Sequence, residues 1–322
     1  MPLFSWLPAW RVDDVQVSHS PAAGGSVGPH SDSFDVFLLQ SAGRKEWRLS
    51  ADPRYAPSQS DAFVQGIEVS VLRDFVPSAT LLLQPGDCLY LPPSVAHHGI
   101  ALESGFTYSI GFLAPTRQEL GVSWATALAD LDPQAAVRWS DPWLTPAARP
   151  GELSAAAIDA ALALVESLPR SRASVAAWFG SHVTQPRGGP DPLPLHEMPG
   201  WDWVASQAEE AGEICRHESS RFAFLAGSAA GTGSGGTLFA HGQALPVLSD
   251  AACTLAAEIA DKRLLPWESV VACGSLGCAE SQRMLCTLIG EGLLFVPGLP
   301  GTEEEDEEVE PVEEYDLEDE RL

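Results

Sequence analysis

The sequence predicts an α+β protein in which a β-rich N-terminal part is followed by helices and then by a mixed C-terminal part. Short runs of β-branched, aromatic and aliphatic residues alternate with Gly/Pro turns over the first 114 residues. Helix-capping sequences and helical apolar spacing begin near residue 116, and short strand-like and helix-like segments alternate from residue 201. Strands at this spacing are typical of a β-sandwich or a jelly roll.

The strands of the first part are predicted from runs separated by turn residues. Residues 41–44 (Ser-Ala-Gly-Arg) predict a hairpin turn, and residues 84–87 (Gln-Pro-Gly-Asp) carry Pro and Gly at the centre of a second turn. The predicted strands are residues 12–17, 35–40, 46–49, 80–83 and 88–91.

Three helices are expected next, and we expect them to form a small helical bundle. Thr116 and Glu119 have the spacing of a capping box, which predicts a helix to about Leu131. Ser154 is placed to cap a second helix over 154–168, and a third is predicted over 173–183.

The rest of the chain predicts a linker, a winged-helix-like unit and an acidic tail. Residues 184–200 are rich in Pro and Gly, as linkers often are. The later predictions are strands at 222–225, 237–240 and 293–296 and helices at 250–259 and 280–289, and helices followed by a short β-ribbon fit a winged helix. From Gly301 onward the sequence is acidic and of low complexity, so we expect it to be disordered.

The charge of the chain indicates which class of partner it binds, and its cysteine content indicates the cellular compartment in which it is found. The formal net charge is −26, and residues 302–322 contribute 13 acidic residues and one Arg, so the rest of the chain is still acidic. This balance excludes a broad electrostatic nucleic-acid surface and favours a basic protein or peptide partner. The six cysteines form no C-x-x-C pair, and we expect neither a signal peptide nor a membrane span. We therefore expect reduced thiols in a cytoplasmic protein.

One histidine pair and one carboxylate have the spacing of a metal site. His30 and Asp32 are two residues apart at the start of a strand, so their side chains point to the same face. His97 and His98 follow much later, and because neighbours on a strand face opposite ways, only one of them faces the metal. The residues alone do not choose between the two. Two imidazoles and one carboxylate make the facial triad of non-haem iron oxygenases, which leaves three metal positions open.

Four segments together resemble the bacterial ribosomal oxygenases, which are JmjC-type hydroxylases of a ribosomal protein related to animal ribosomal histidine hydroxylases. The segments are residues 10–14, 28–40, 83–93 and 108–112. The resemblance implies a double-stranded β-helix (a cupin or JmjC jelly roll) over 1–114, a helical dimerisation region over 115–185, a winged-helix-like domain over 186–300 and the acidic tail over 301–322. It also implies a homodimer that makes no direct contact with nucleic acid.

The resemblance implies a role for each candidate site residue. Fe(II) would bind His30, Asp32 and His97, since the family motif selects His97 over His98. A strand lysine usually faces solvent, but the family places a basic residue at Lys45 to hold the distal carboxylate of 2-oxoglutarate, the co-substrate used with O2. Ser109, and less directly Thr107, would donate hydrogen bonds near the co-substrate.

The substrate implied is a side chain, arginine in the bacterial members, of a large-subunit ribosomal protein. Asp13, Asp14 and Asp35 are candidates to receive such a cationic side chain, although at least two of them are expected to be solvated on the surface. Histidine remains the other possible target.

The sequence departs from the family at its N-terminus. Family members carry a segment ahead of the motif region, so we expect an unpaired sheet edge and exposed apolar surface here. Two other functions stay open, a non-catalytic cupin-fold binding or scaffold protein and a metal cupin acting on a small molecule. Lys45 argues against the small-molecule function, because such cupins usually lack an anchor for 2-oxoglutarate.

Overall fold

Antiparallel strands dominate the first part of the chain in the computed structural model, and helices become frequent only after residue 116. The structure describes residues 4, 6–57, 62–64, 70–132, 134, 136–138, 153–230, 234–272 and 277–298. The predicted acidic tail lies outside these residues. The chain divides into two units, Met1–Pro169 and Arg170–Leu322, which are described separately below.

Within the described residues of the first unit, seven strands build two antiparallel sheets. They are β1 (Val12–Ser20), β2 (Asp35–Ala42), β3 (Lys45–Ser50), β4 (Ala79–Leu83), β5 (Cys88–Leu91), β6 (Ala96–Ala101) and β7 (Gly105–Phe112). One sheet has the order β1-β7-β2-β5 and the other the order β4-β3-β6. All five strands predicted in this part are present, and both predicted turns lie where the sequence placed them.

The two sheets share a core because alternate residues of each strand point inward. Val36 and Leu38 of β2 pack with Trp47 of β3, Leu83 of β4 and Leu91 of β5. A second cluster, around Tyr55, Leu72 and Ala96, lies beside this core. The predicted sandwich is therefore confirmed, and its interior is where the site described below is found.

The sheet edge formed by β1 is exposed. Within the described residues β1 pairs only with β7, and most of its residues are exposed. Val15 and Val17 of β1 and Phe106 and Tyr108 of β7 are among the exposed large apolar side chains.

Two helices follow the sheets within the first unit, α1 (Arg117–Leu131) and α2 (Ala155–Ser167). Both begin at the predicted caps. Thr116 and Glu119 form the complete capping box, and the Ser154 side chain accepts a hydrogen bond from the backbone N–H of Ala157. No residue of α2 is buried, although its sequence is rich in Ala and Leu.

The second unit contains six helices and six short strands among the described residues. The helices are α3 (Arg172–Val183), α4 (Trp201–Ala211), α5 (Gly227–Ala230), α6 (Asp250–Asp261), α7 (Trp267–Ala272) and α8 (Ala279–Gly290). The strands are β8 (Glu213–Arg216), β9 (Phe222–Ala226), β10 (Gly236–Ala240), β11 (Gln243–Val247), β12 (Leu264–Pro266) and β13 (Leu294–Phe295). They form two three-stranded sheets, β11-β10-β9 and β12-β8-β13.

Apolar faces of α4, α6 and α8 enclose the core of this unit. Val204, Leu255, Ile259, Leu285 and Leu288 are fully buried there. Helix α3 packs on β9, β10 and β11 of its own unit, and the three-helix bundle stays a prediction. Gly180 explains this packing, because a Cβ at that position would collide with the ring of Phe239 in β10.

The predicted linker is ordered and packs on the second unit. The backbone N–H of Leu195 donates to the carbonyl of Gly290, and a Cβ at Gly290 would collide with the side chain of Met198. The five cysteines in the described ranges are free thiols, as expected. Among the helices that the structure describes, none combines the length and the apolar character needed to span a bilayer.

Candidate active site

The two histidines of the predicted triad are held together by the backbone. His30 lies just before β2 and pairs with His97 of β6 as an isolated antiparallel bridge. The N–H of His30 donates to the carbonyl of His97 at 3.0 Å, and the N–H of His97 donates back at 2.8 Å. This pairing brings the two ring centroids to 4.2 Å although the residues are far apart in sequence.

Asp32 completes the cluster from the same segment as His30. One of its carboxylate oxygens lies 3.6 Å from Nε2 of His97. One ligand atom from each of His30, Asp32 and His97 lies within 4.8 Å of the other two, as the donor atoms of a shared metal ion do. The structure therefore brings together all three predicted ligands.

Hydrogen bonds orient both imidazoles. Nδ1 of His30 lies 2.9 Å from the carbonyl of Gly28, and Nδ1 of His97 lies 3.1 Å from the carbonyl of Val95. Because a carbonyl only accepts, each Nδ1 carries the hydrogen, and Nε2 presents its lone pair to the cluster. Burial, together with the nearby His30, lowers the pKa of His97 to about 4, so His97 is neutral at pH 7.

His98 faces away from the cluster. Its ring lies 6.4 Å from that of Phe75, and its side chain is only partly buried. Burial and the nearby Arg48 lower its pKa. The choice between neighbouring histidines, which the residues alone left open, thus falls on His97 in the geometry.

A cavity of about 230 Å³ opens beside the triad, between the two sheets. Its walls combine polar side chains from β1 and β7 with apolar side chains from β2 and β3. The lining residues are Asp14, Gln16, Ser18, Val27, Gly28, His30, Asp32, Phe34, Val36, Leu38, Lys45, Trp47, His97, Gly99, Thr107, Ser109 and Gly111.

Lys45 places a cation in the wall of this cavity. The residue is only 9% exposed, and its Nζ lies 4.9 Å from the centroid of the Trp47 ring. Within the described part of the chain, no carboxylate or other hydrogen-bond acceptor pairs with this ammonium. Burial lowers its pKa below the usual value. An uncompensated buried ammonium is costly, so the cavity is suited to an anion.

Gly99 makes room for Lys45. It lies opposite Trp47 in the β3–β6 pairing, and a Cβ there would lie 2.7 Å from Cε of Lys45 and 2.8 Å from the Trp47 ring. Arg44, in contrast, is exposed and pairs with Glu103 at 2.9 Å. The lysine, rather than its neighbour, is thus the cation of the cavity.

The two hydroxyls of β7 differ in what they can donate. Thr107 gives its hydrogen to Oε1 of Gln40 at 3.0 Å, so it is already engaged. Ser109 lines the same wall, and among the residues described its hydroxyl has no hydrogen-bond partner. Ser109 is therefore the hydroxyl of this pair that remains available to a ligand.

The three aspartates proposed to bind a cationic substrate lie in different surroundings. Asp35 is engaged by Arg11 at 2.7 Å and by the hydroxyl of Tyr90 at 2.6 Å. Asp14 lines the cavity, whereas Asp13 and Asp35 do not.

Several cavity residues were not predicted from the sequence. Gln16 and Ser18 follow Asp14 at two-residue intervals on β1, so strand alternation was a signal that would have found them. Gly99 of the cavity wall, and Gln40, which lies behind the wall and bonds to Thr107, carried no comparable signal, because each depends on partners distant in sequence.

Two family models match this chain in succession, the JmjC domain over residues 1–120 and the ROXA-like winged helix over residues 163–295. The chain is 33% identical over 187 residues to the ribosomal protein uL16 3-hydroxylase of Escherichia coli, covering 57% of this chain and 48% of that protein. It is 35% identical over 121 residues to a probable ribosomal oxygenase of Haemophilus influenzae, covering 36% of this chain and 28% of that protein.

Solved structures extend the likeness over most of the chain. The crystal structure of E. coli YcfD matches with a TM-score of 0.73 at 26% identity, covering 92% of this chain and 74% of that one. The chain thus carries a JmjC domain and a ROXA-like winged helix, and it resembles the ribosomal oxygenases in sequence and in fold. A ribosomal oxygenase structure, E. coli YcfD in complex with cobalt and 2-oxoglutarate, matches with a TM-score of 0.71 at 27% identity over 92% of this chain and 74% of that one.

These matches confirm the predicted fold, a JmjC jelly roll followed by helices and a winged helix. The chain spans about half the length of the E. coli hydroxylase and less of the Haemophilus protein.

Proposed function

We propose that this ribosomal oxygenase relative is an Fe(II)- and 2-oxoglutarate-dependent oxygenase that hydroxylates a side chain of a large-subunit ribosomal protein. One observation carries the proposal. The cavity that holds the His30, Asp32 and His97 cluster also holds the unpaired ammonium of Lys45. A metal triad and an anion anchor in one cavity are what a chelating dicarboxylate co-substrate requires.

The donor set fits iron(II). Two imidazoles and one carboxylate on one face of a metal leave the remaining positions open for co-substrate and oxygen. Iron held by these residues would supply the activation of O2, coupled to decarboxylation of 2-oxoglutarate to succinate and CO2. The hydrogen bonds to the carbonyls of Gly28 and Val95 fix both rings, as partners of metal-bound histidines do.

Lys45 and Ser109 would bind the co-substrate. The ammonium would hold the distal carboxylate of 2-oxoglutarate, and the Ser109 hydroxyl would donate a hydrogen bond beside it. Val36, Leu38 and Trp47 are buried around this part of the cavity and exclude water from it. A dry cavity protects a reactive oxidant from side reactions.

The substrate would be a cationic side chain, and we propose arginine. Asp14 is a carboxylate of the cavity wall outside the triad, so it is placed to meet a guanidinium. A net charge of −26 suits a basic ribosomal protein and does not suit nucleic acid. The named activity of the E. coli relative, 3-hydroxylation of uL16, supports the same class of substrate.

The assembly we propose is a cytoplasmic homodimer that contacts no nucleic acid directly. Its interface would include α2, where Ile158, Leu162 and Val165 are 57%, 54% and 63% exposed along one helical stripe. A stripe of this kind is a common interface for a second copy.

The test is to incubate the protein with Fe(II), 2-oxoglutarate, ascorbate and the ribosomal protein, and to measure succinate and the intact mass of the ribosomal protein. We expect succinate release and the addition of one oxygen atom to the ribosomal protein. His30→Ala should abolish both while the protein stays folded, because it removes one metal ligand. His98→Ala is the matched control and should retain both.

Other outcomes separate the alternatives. A folded wild-type protein that releases no succinate would support the non-catalytic scaffold function. Equal activity of the His30→Ala and wild-type proteins would contradict the metal assignment.

A further inference from the structure

We infer that Gln40 and Thr107 are positioning residues that hold Lys45 in place for the co-substrate, an inference that rests on the proposed function. Gln40 ends the inward-facing series of β2 that includes Val36 and Leu38. It is a polar residue at 2% exposure in an otherwise apolar series. A buried amide persists where it is fully hydrogen-bonded, so its partners indicate what it stabilises.

The Gln40 side chain is bonded at both ends. Its Nε2 donates to the carbonyl of Ala42 at 2.8 Å and to that of Gly43 at 3.3 Å. Its Oε1 accepts the hydroxyl hydrogen of Thr107 at 3.0 Å. The amide thus connects the β2–β3 turn to the middle of β7.

The backbone of Gln40 adds a third segment. Its N–H donates to the carbonyl of Asp87 at 3.0 Å, and its carbonyl accepts from the N–H of Gly86 at 2.8 Å. The β4–β5 turn is therefore fixed to the same residue.

Lys45 depends on this arrangement because it directly follows the fixed turn. The two carbonyls that Gln40 binds lie two and three residues before Lys45. A Cβ at Gly43 would collide with the carbonyl of Ser104, so the turn is also pressed against the turn between β6 and β7. The backbone position of Lys45 is thereby set on two sides.

The ammonium itself has no partner that would fix it among the described residues, apart from the Trp47 ring. Lysine has a flexible four-carbon stem, and ordering it on binding costs conformational entropy. A fixed backbone lowers that cost, so the Gln40–Thr107 pair should control the affinity for 2-oxoglutarate. It should leave the affinity for the metal unchanged, because none of these hydrogen bonds involves His30, Asp32 or His97.

The experiment measures 2-oxoglutarate binding to the Co(II)-loaded full chain by calorimetry, with Co(II) affinity and thermal unfolding measured beside it. Gln40→Met removes three side-chain hydrogen bonds and Thr107→Val removes one, and each should weaken 2-oxoglutarate binding by at least about tenfold. Thr107→Ser keeps the hydroxyl and should stay within about twofold of wild type. The double variant should bind 2-oxoglutarate no more weakly than the more affected single variant does, because the two residues act as one unit.

A matched control is Thr126→Val, which removes a hydroxyl that bonds to the carbonyl of Val122 on the exposed side of α1. It should bind 2-oxoglutarate as wild type does. Under steady-state turnover the Gln40 and Thr107 variants should raise KM for 2-oxoglutarate and keep kcat. A merely structural defect would lower kcat and weaken Co(II) binding as well.

The inference and the proposed function fail in different ways. Wild-type affinity in folded Gln40→Met and Thr107→Val, with Lys45→Met weakened, would overturn the inference and leave the function intact. No 2-oxoglutarate binding by the wild-type protein would overturn the function itself. If Gln40→Met does not fold, the contrast between Thr107→Val and Thr107→Ser decides, and equal affinity of those two would overturn the inference.

Discussion

At the scale of single residues, replacing Lys45 should weaken co-substrate binding without lowering the stability of the protein. Measuring both therefore tests the role of this side chain. Replacing it by Met removes the anchor for a carboxylate, and a hydrogen bond to a charged group contributes roughly 1.5–3 kcal/mol. We therefore expect Lys45→Met to raise KM for 2-oxoglutarate about 10- to 100-fold in succinate-release assays.

The same change also removes an uncompensated buried ammonium, so the midpoint of thermal unfolding should stay equal or rise. A lower midpoint with an unchanged KM would mean that the side chain has only a structural role. Arg44→Met changes the neighbouring exposed cation and serves as the control.

Gly99 is the second residue whose side chain, or lack of one, shapes the cavity. In Gly99→Ala the new Cβ would lie within 2.8 Å of both Lys45 and Trp47, and overpacking of this kind costs about 1–3 kcal/mol. We expect lower stability to urea and weaker 2-oxoglutarate binding.

Gly121→Ala, in α1, is the control, because nothing lies within 4 Å of the added methyl group. That substitution should raise stability by about 0.5–1 kcal/mol, since Ala is the better helix former. Equal behaviour of the two variants would show that the cavity tolerates the extra methyl group.

The sequence predicts some residues of the candidate site better than others. The two-residue spacing of His30 and Asp32 puts both on one face, and a strand rule therefore suffices. His97 needed either the family motif or the observed bridge to His30, because alternation alone allows His98 equally. Gln40 was missed since its role rests on Thr107, 67 residues away.

At the scale of elements, the N-terminal cap of α1 stabilises the first turn of that helix. The Thr116 hydroxyl accepts from the N–H of Glu119 at 3.1 Å, and the Glu119 carboxylate accepts from the N–H of Thr116 at 2.6 Å. Thr116→Ala should cost about 1 kcal/mol, measured by denaturant unfolding.

Hydrogen exchange should report the same loss as faster exchange in the first turn of α1. Thr126→Ala, on the same helix but outside the cap, should lose much less stability and much less protection from exchange. Equal losses from the two substitutions would refute the cap.

Elements with local chemical signals were predicted, and those set by distant contacts were not. The β2–β3 turn contains Gly43 at a positive φ of 70°, and the turn before β5 contains Gly86 at a φ of 96°. Because glycine favours a positive φ, the two glycines in the sequence are enough to predict both turns. β12 is only three residues long, so it lacks the alternation that marks a strand, and it depends on pairing with β8. The packing of α3 on β9, β10 and β11 was not predicted for a similar reason. Its partner is the ring of Phe239, far along the chain.

At the scale of the whole molecule, each of the two units contains most of one family match. The segment between the two matches contains the helices least explained by packing within their own unit. Residues 121–162 lie outside both matches and include most of α1 and more than half of α2. Leu128 is the buried residue of α1, and α2 has none. Helical stability in proteins comes mainly from burying an apolar face, so helices of this kind are expected to gain stability from another surface.

A second copy of the chain is the partner proposed for α2, and charge placed on its exposed stripe tests this. Ile158→Glu and Leu162→Glu should convert a dimer into a monomer in sedimentation velocity, because a buried unpaired carboxylate opposes association. Ala163→Glu adds the same charge to the same helix away from the stripe and should leave the dimer intact. A wild-type monomer would contradict the proposal directly. Dimers that persist in both stripe variants would place the interface elsewhere, because neither side chain could then be buried between the two copies.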